Sequence, residues 1–354
     1  MAKSIDVGTS FLVACSKVGD ELKFTKQRDA FFTLEFNNES LGVLETLNVP
    51  YIKKKNELVI IGEDALKFAN LFKVNARRPM HKGVVSRKDL DSFGMLQVLL
   101  GSVLGKPSKP NEIVKYTIPA APINEDFSVE YHSKQIGNIL KALGYDGQPI
   151  NEARCILLSE LVDKKFTGCA ISFGAGSINV CLSQYGIDNP KLQFSFSQSG
   201  DWVDSKAAEV YTGLTDTKVQ SIKERGVDLL NPNPGLSPND LEGPTLLDYY
   251  ARSGIAIYYK ALIDNLLKAL RYKFQQEEMP EFTDPLTLVI AGGTSMAGNF
   301  VKLFEQQLKV NPIGLPIDEV RHAKDPLYTV ARGAFIAAQL EESKKDKEVK
   351  TDKE

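Results

Sequence analysis

Ile5-Asp6-Val7-Gly8-Thr9-Ser10-Phe11-Leu12-Val13-Ala14-Cys15 and Ile171-Ser172-Phe173-Gly174-Ala175-Gly176-Ser177-Ile178-Asn179-Val180-Cys181 are two versions of one motif. Each reads as an apolar strand, a tight turn of small residues and a second strand. The turns offer backbone N–H groups with almost no side chain in the way, and successive amides can converge on anionic oxygens. Two such hairpins facing each other can clamp a polyphosphate between two domains. The copies differ where chemistry is at stake. Asp6 precedes the first turn, and Ser172 stands at the matching place in the second.

The rest of the chain fits a two-domain protein. At 354 residues, two cores are the better expectation. Apolar residues make up 43% and charged residues 25%, the balance of a soluble globular protein. A formal net charge of −2 gives no general attraction to nucleic acid or anionic lipid. The start of the chain runs into a strand at Ser4-Ile5-Asp6-Val7, so no signal peptide is expected. No apolar run approaches the roughly 20 residues that span a bilayer. Cys15, Cys155, Cys169 and Cys181 lack metal-ligand spacing. They read as reduced core residues of a cytoplasmic protein, with a disulfide or metal role as the alternative. His81, His132 and His322 belong to no ligand pattern, and no Ser/His/Asp set suggests hydrolase chemistry.

Periodicity divides the chain into alternating strands and helices. Residues 4–35 alternate as strands, and residues 30–79 form a small mixed segment with a strand at Leu58–Gly62 and a helix at Glu63–Asn70. Helices are expected over Asp89–Leu104 and His132–Leu143, with a strand at Ile113–Pro119 between them. The second half repeats the plan: a helix at Glu152–Leu161, the hairpin Gly168–Ser183 and a strand at Leu192–Ser199. Helices then cover Asp201–Tyr211, Asp216–Arg225 and Leu246–Phe274, followed by an apolar strand at Leu286–Ala291. The last helices are Asn299–Leu308 and Thr329–Leu340. Residues 341–354 carry eleven charged residues of both signs, which suggests a solvated, disordered tail. Asn70-Leu71-Phe72 reads as a buried contact rather than an exposed apolar tip. This alternation argues for α/β architecture with two similar domains around a cleft.

A third element carries chemistry. In Leu288-Val289-Ile290-Ala291-Gly292-Gly293-Thr294-Ser295-Met296, a buried strand leads into Gly-Gly, which lets a flat ring approach the backbone. A plain strand–helix turn is the alternative. Asp6 could hold magnesium through water, since magnesium keeps several waters when it binds phosphates.

The ordered set of two hairpins, a helix between them, the Gly-Gly element and the closing Asp325-Pro326-Leu327-Tyr328-Thr329-Val330-Ala331-Arg332-Gly333-Ala334 resembles the actin, sugar kinase and heat-shock chaperone ATPase superfamily. The resemblance covers roughly residues 4–340. Within the superfamily the chain is most similar to bacterial actin-like proteins of the MreB and MamK type, as in Gly62-Glu63-Asp64-Ala65 and the segment from Arg78 to Val85. It implies the actin-like ATPase fold: a duplicated mixed sheet with flanking helices around a nucleotide cleft. Domain I would span residues 1–150, with a small subdomain at about 31–79, and be completed by 325–340. Domain II would span 151–324, with an outer subdomain at about 205–275.

The resemblance also implies roles for residues. Gly8, Thr9, Ser10, Gly174, Ala175, Gly176 and Ser177 would cradle the phosphates of ATP or ADP. Gly292, Gly293, Thr294, Ser295 and Met296 would meet the adenosine. Gly200 and Asp201 match the turn near the ribose, and Gln220 and Lys223 match a Glu-x-x-Lys pair that touches the nucleoside. Residues three apart share a helix face, so that geometry survives the change to Gln. Glu152 matches the polar residue that positions the attacking water; the alternative is an exposed helix-start Glu favoured by the helix dipole. Asp6 would hold Mg2+ through water. Ser172 replaces the usual Asp, which suggests weaker magnesium binding or slower hydrolysis. Asn179 replaces an acidic residue of some relatives, a change read as minor. Trp202 is expected to pack beneath the cleft.

Three functions follow as expectations. The first is an ATP-binding protein that polymerises with itself into cytoplasmic cytoskeletal filaments, serving an unidentified cargo or adaptor. The second is a monomeric, chaperone-like nucleotide-binding adaptor. The third, a small-molecule kinase, is disfavoured because no acceptor-activating Asp follows the second hairpin.

Overall fold

The computed structural model describes residues 2–351 apart from 88, 90, 127, 278 and 283, and of residues 345–351 the backbone alone. The first half runs β1 (Lys3–Val7), β2 (Phe11–Val18), β3 (Glu21–Arg28), β4 (Phe31–Glu35), α1 (Asn38–Thr46), β5 (Tyr51–Lys54), β6 (Glu57–Ile61) and α2 (Glu63–Leu71). It continues through β7 (Met80–His81), β8 (Val84–Val85), α3 (Ser92–Leu104), β9 (Glu112–Ile118), α4 (Glu130–Ala142) and β10 (Tyr145–Asn151). The second half runs α5 (Glu152–Glu160), β11 (Gly168–Phe173), β12 (Ile178–Ser183), β13 (Gln193–Phe196), α6 (Gly200–Ala208), α7 (Asp216–Glu224) and α8 (Gly243–Gln276). It ends with β14 (Leu286–Ala291), α9 (Phe300–Val310), β15 (Ile317–His322) and α10 (Thr329–Thr351).

Two five-stranded sheets share one topology. The first is ordered β10-β9-β1-β2-β3, and the second is β15-β14-β11-β12-β13. In each, a hairpin pair is antiparallel (β1 with β2, β11 with β12), and a third strand extends it antiparallel. Two later strands then join parallel on the far side. The turns between Val7 and Phe11 and between Phe173 and Ile178 therefore occupy equivalent places in a duplicated sheet.

Burial explains which strands form the middle. All residues of β11, β12 and β14 are buried, and they pack on the inner face of α8 (Ile255, Tyr259, Leu262, Leu266, Leu270) and on Phe300 and Phe304 of α9. The first sheet packs Ile5, Leu12 and Val114 against Leu96, Leu99 and Leu100 of α3 and Ile136 and Leu140 of α4. A three-stranded sheet, β4-β6-β5, forms the small subdomain around Leu44, Leu58, Ile60 and Phe68. Helix α10 returns to the first sheet, where Ala331 and Phe335 meet Val13 and Cys15. It also crosses α5 so closely that a Cβ on Gly333 would overlap the carbonyl of Cys155. All four cysteines are buried and free.

The structure departs from the sequence reading in places. Strands β10 and β15 lie at sheet edges and are polar, so no apolar run marks them. The helix expected from Asp89 begins at Ser92, and Leu90 lies outside the described residues. Helix α10 runs to Thr351 rather than stopping at Leu340, as the high helix propensity of Glu and Lys allows; residues 352–354 lie outside the described residues. Leu71 and Phe72 are 74% and 53% exposed, so the expected buried contact at that tip is wrong. Phe72 covers only one face of Phe32, with ring centroids 5.6 Å apart, because α2 ends at Leu71 and the chain turns outward. Trp202 packs edge-on against Tyr258. Among the described residues no helix is long and apolar enough to cross a membrane.

Candidate nucleotide-binding cleft

The two hairpin turns meet across a cleft of about 460 Å³. Both close in the same way: the Gly8 amide donates to the Phe11 carbonyl at 3.1 Å, and Gly174 to Ser177 at 3.0 Å. A Cβ at Gly8 would stand 2.7 Å from the Phe11 oxygen, and one at Gly174 would stand 2.6 Å from the Ser177 oxygen. Glycine is required there because the turn folds its own carbonyl back over the Cα. Gly176 touches the opposite hairpin, where a Cβ would overlap Thr9 Oγ1 and lie 2.5 Å from the Gly83 amide nitrogen.

The second turn is held from behind. The Gly174 carbonyl accepts from Thr294 Oγ1 at 2.8 Å and from the Gly200 amide at 3.2 Å. The Ala175 carbonyl accepts from the Asp201 amide at 2.8 Å and from the Ser199 hydroxyl. Its carbonyls are turned away from the cleft by these bonds, which leaves the amide side of the turn facing inward. Gly200 and Asp201 thus act as a brace rather than as lining, and Ser295 bonds the Gly292 carbonyl and His322 instead of facing the cavity. The other sixteen expected residues all line the cleft: Asp6, Gly8, Thr9, Ser10, Glu152, Ser172, Gly174, Ala175, Gly176, Ser177, Gln220, Lys223, Gly292, Gly293, Thr294 and Met296. Gly292 has a φ of +92° and packs against the Phe173 backbone, a site no side chain could enter.

A carboxylate pair forms the floor. Asp6 Oδ1 accepts from Thr117 Oγ1 at 2.7 Å. Glu152 begins α5, whose cap is Asn151, and is drawn inward rather than left exposed at the helix start. Its Oε1 accepts from Ser172 Oγ at 2.5 Å, and its Oε2 accepts from Asn179 Nδ2 at 2.8 Å. Burial raises the pKa of Asp6, and the Thr117 bond opposes it. Burial also raises that of Glu152, with the Asp6 charge adding to it and the Ser172 bond opposing it. Asn179, read from sequence as a minor change, is fully buried and holds one oxygen of Glu152. Nothing in a single sequence signals that contact, because 27 residues separate the partners.

The roof is ionic; Gln220 and Lys223 were expected there, whereas Arg28, Glu63, Arg78 and Glu224 were missed from sequence. Arg28 of β3 donates to Ser10 Oγ at 2.8 Å and to both oxygens of Glu224 at 2.8 and 2.5 Å, and its Nε reaches Glu63 at 3.0 Å. Gln220 donates to Ser10 Oγ at 3.1 Å and to Glu224 at 3.0 Å. Lys223 turns inward to Asp204 at 2.7 Å and the Gly200 carbonyl at 3.1 Å. Arg78 bonds Asp201 at 2.6 Å and Gln220 at 2.8 Å. Four carboxylates (Asp6, Glu63, Glu152, Glu224) and three cations (Lys26, Arg28, Lys223) line the cavity. Burial holds the Glu152 carboxyl toward its neutral form, so the ionised acids and the cations of the lining are closely balanced. Among the described residues no cluster of three or more His, Cys, Asp or Glu could hold a metal by itself.

Known structures share this architecture. A MamK double helical filament superposes with a TM-score of 0.69 at 17% identity, covering 96% of this chain and 99% of that one. MreB5 of Spiroplasma citri bound to AMPPNP gives 0.66 at 15% identity, with 98% of each chain covered. The ADP-bound form of MreB5 gives 0.63 at 15% identity, over 97% of this chain and 98% of that one. The chain therefore has the actin-like ATPase fold of the MamK and MreB5 proteins. No curated protein sequence matches it. The family model described as Volactin matches residues 1–338, and the chain belongs to the Volactin family.

Proposed function

We propose that this protein is a nucleotide-binding, actin-like cytoskeletal protein that polymerises with itself in the cytoplasm. The observation that carries the reading is the pair of glycine hairpins at equivalent places of a duplicated sheet, facing each other across one cleft. The protein's similarity to a MamK filament supports self-assembly, and the nucleotide-bound MreB5 structures support ATP and ADP as ligands. Domain I corresponds to residues 1–150 with 325–340, and domain II to 151–324. Nucleotide held by both domains favours the closed shape in proportion to its differential affinity for it. Head-to-tail contacts that do not close a ring then give filaments.

In this reading the amides of the two turns bind the phosphates, and Gly292, Gly293, Thr294 and Met296 form the wall for the adenosine. Asp6 would support a magnesium ion through water; a carboxylate oxygen facing the cleft is the ligand chemistry a hard cation takes. Bound there, magnesium would neutralise charge on the transferring phosphoryl group. Glu152 orients the attacking water. Ser172 serves Glu152 as a hydrogen-bond donor and supplies no charge to a metal, which makes slow hydrolysis the expectation. Gln220 and Lys223 stand toward the nucleoside end. The monomeric adaptor reading has no specific observation in its favour.

Calorimetric titration with magnesium and ATP tests the site. Gly176→Val drives a branched side chain into Thr9 and Gly83, so it should abolish measurable binding while the far-ultraviolet dichroism stays native. Undiminished affinity in that variant would place the nucleotide elsewhere.

A further inference from the structure

We infer that Asn179 is a positioning residue that holds the Glu152 carboxyl in the orientation hydrolysis needs. This assignment rests on the hydrolytic reading of the cleft. Asn179 sits on β12 and is fully buried. Its amide group is divided between two tasks. Nδ2 donates to Glu152 Oε2 at 2.8 Å and to Ser177 Oγ at 3.2 Å. Oδ1 accepts the backbone N–H of Ala120 at 3.0 Å, and Ala120 follows β9 of the other sheet. One side chain therefore joins the carboxylate, the second hairpin turn and the opposite domain.

The neighbouring bonds make that tie specific. The Ala121 carbonyl accepts the Ser195 amide at 2.9 Å, and the Ala120 carbonyl accepts Ser195 Oγ at 2.9 Å. The strand exit after β9 is thus pinned to the second sheet at the same place where Asn179 reads it. Ser172 holds the other oxygen of Glu152 from within its own sheet and carries no interdomain information. The Ala120 bond fixes the orientation of the Asn179 amide, and loss of its Nδ2 donor would release Oε2. A carboxylate anchored at both oxygens presents a fixed lone pair to water; one anchored at Oε1 alone can swing.

The step it serves is hydrolysis. Water oxygen bonds to the γ-phosphorus, and the bond to the β,γ-bridging oxygen breaks. ADP leaves with that electron pair, and the water proton passes through Glu152 to solvent. Asn179 touches none of these atoms and acts through Glu152.

Asn179→Asp tests the assignment, since it keeps the acceptor for Ala120 and removes the donor to Glu152. ATP affinity is read by calorimetry and phosphate release by a coupled assay at saturating ATP. The expected result is affinity within about twofold of wild type and turnover lowered by roughly ten- to a hundredfold. Asn179→Ala serves if Asn179→Asp melts early, and the same split is expected. Wild-type turnover in a folded variant overturns the assignment and leaves the hydrolytic reading standing. A wild type that binds ATP and never releases phosphate overturns both.

Discussion

His132 shows how one buried side chain ties the fold to pH. It is fully buried on α4, accepts the Val85 amide at Nδ1 over 3.2 Å, and has no partner at Nε2 among the described residues. Burial lowers its pKa to about 4. The unfolded chain, with a His near 6.5, binds a proton that the folded chain refuses. The stabilisation is therefore complete above about pH 6.5 and is lost as pH falls from there through 4. Urea unfolding should give stability lower by about 2–3 kcal/mol at the acid end of that window. His132→Leu should flatten the slope, and an unchanged slope would contradict the burial argument. At this scale the sequence was partly legible. Asp6, Glu152 and the turn residues were found because glycine turns and a helix start have local signatures. Asn179, Arg28 and Glu224 have none, since their meaning lies in partners 27 or 196 residues away.

Helices α5 and α10 are the elements on which the two halves bear. Gly333 lets them cross at backbone contact, where a Cβ would overlap the Cys155 carbonyl. Gly333→Ala should cost about 1–3 kcal/mol, the usual range for overpacking against groups that cannot yield. Gly94 lies in α3 with no described residue within 4 Å of a new Cβ, so Gly94→Ala should be neutral or stabilising by up to about 1 kcal/mol. Paired melts of the two variants check the contrast, and equal effects would contradict the close crossing. The buried elements were readable: β11, β12 and β14 match their expected bounds because each is buried throughout and mostly apolar. Strands β10 and β15 were not, because an edge strand with one wet side needs no apolar run. Pro149 in β10 is tolerated for the same reason.

Across the whole molecule, polar bonds close the cleft from the small subdomain to the outer one. Asn70 donates to Ser221 at 2.9 Å, the Ala76 amide to Thr217 at 3.0 Å, and the Thr217 amide to Asn75 at 3.2 Å. Arg28, almost wholly buried and paired with the more exposed Glu63 and Glu224, adds charge to the same seam. Contacts of this kind, made between surfaces that can part, suit a molecule whose shape responds to what the cleft holds. High-speed sedimentation of the full chain with magnesium and ATP, against a no-nucleotide control, tests this most directly. The account predicts a nucleotide-dependent pellet that electron microscopy resolves as filaments. Protein that binds ATP yet stays in the supernatant across a wide concentration range would contradict it.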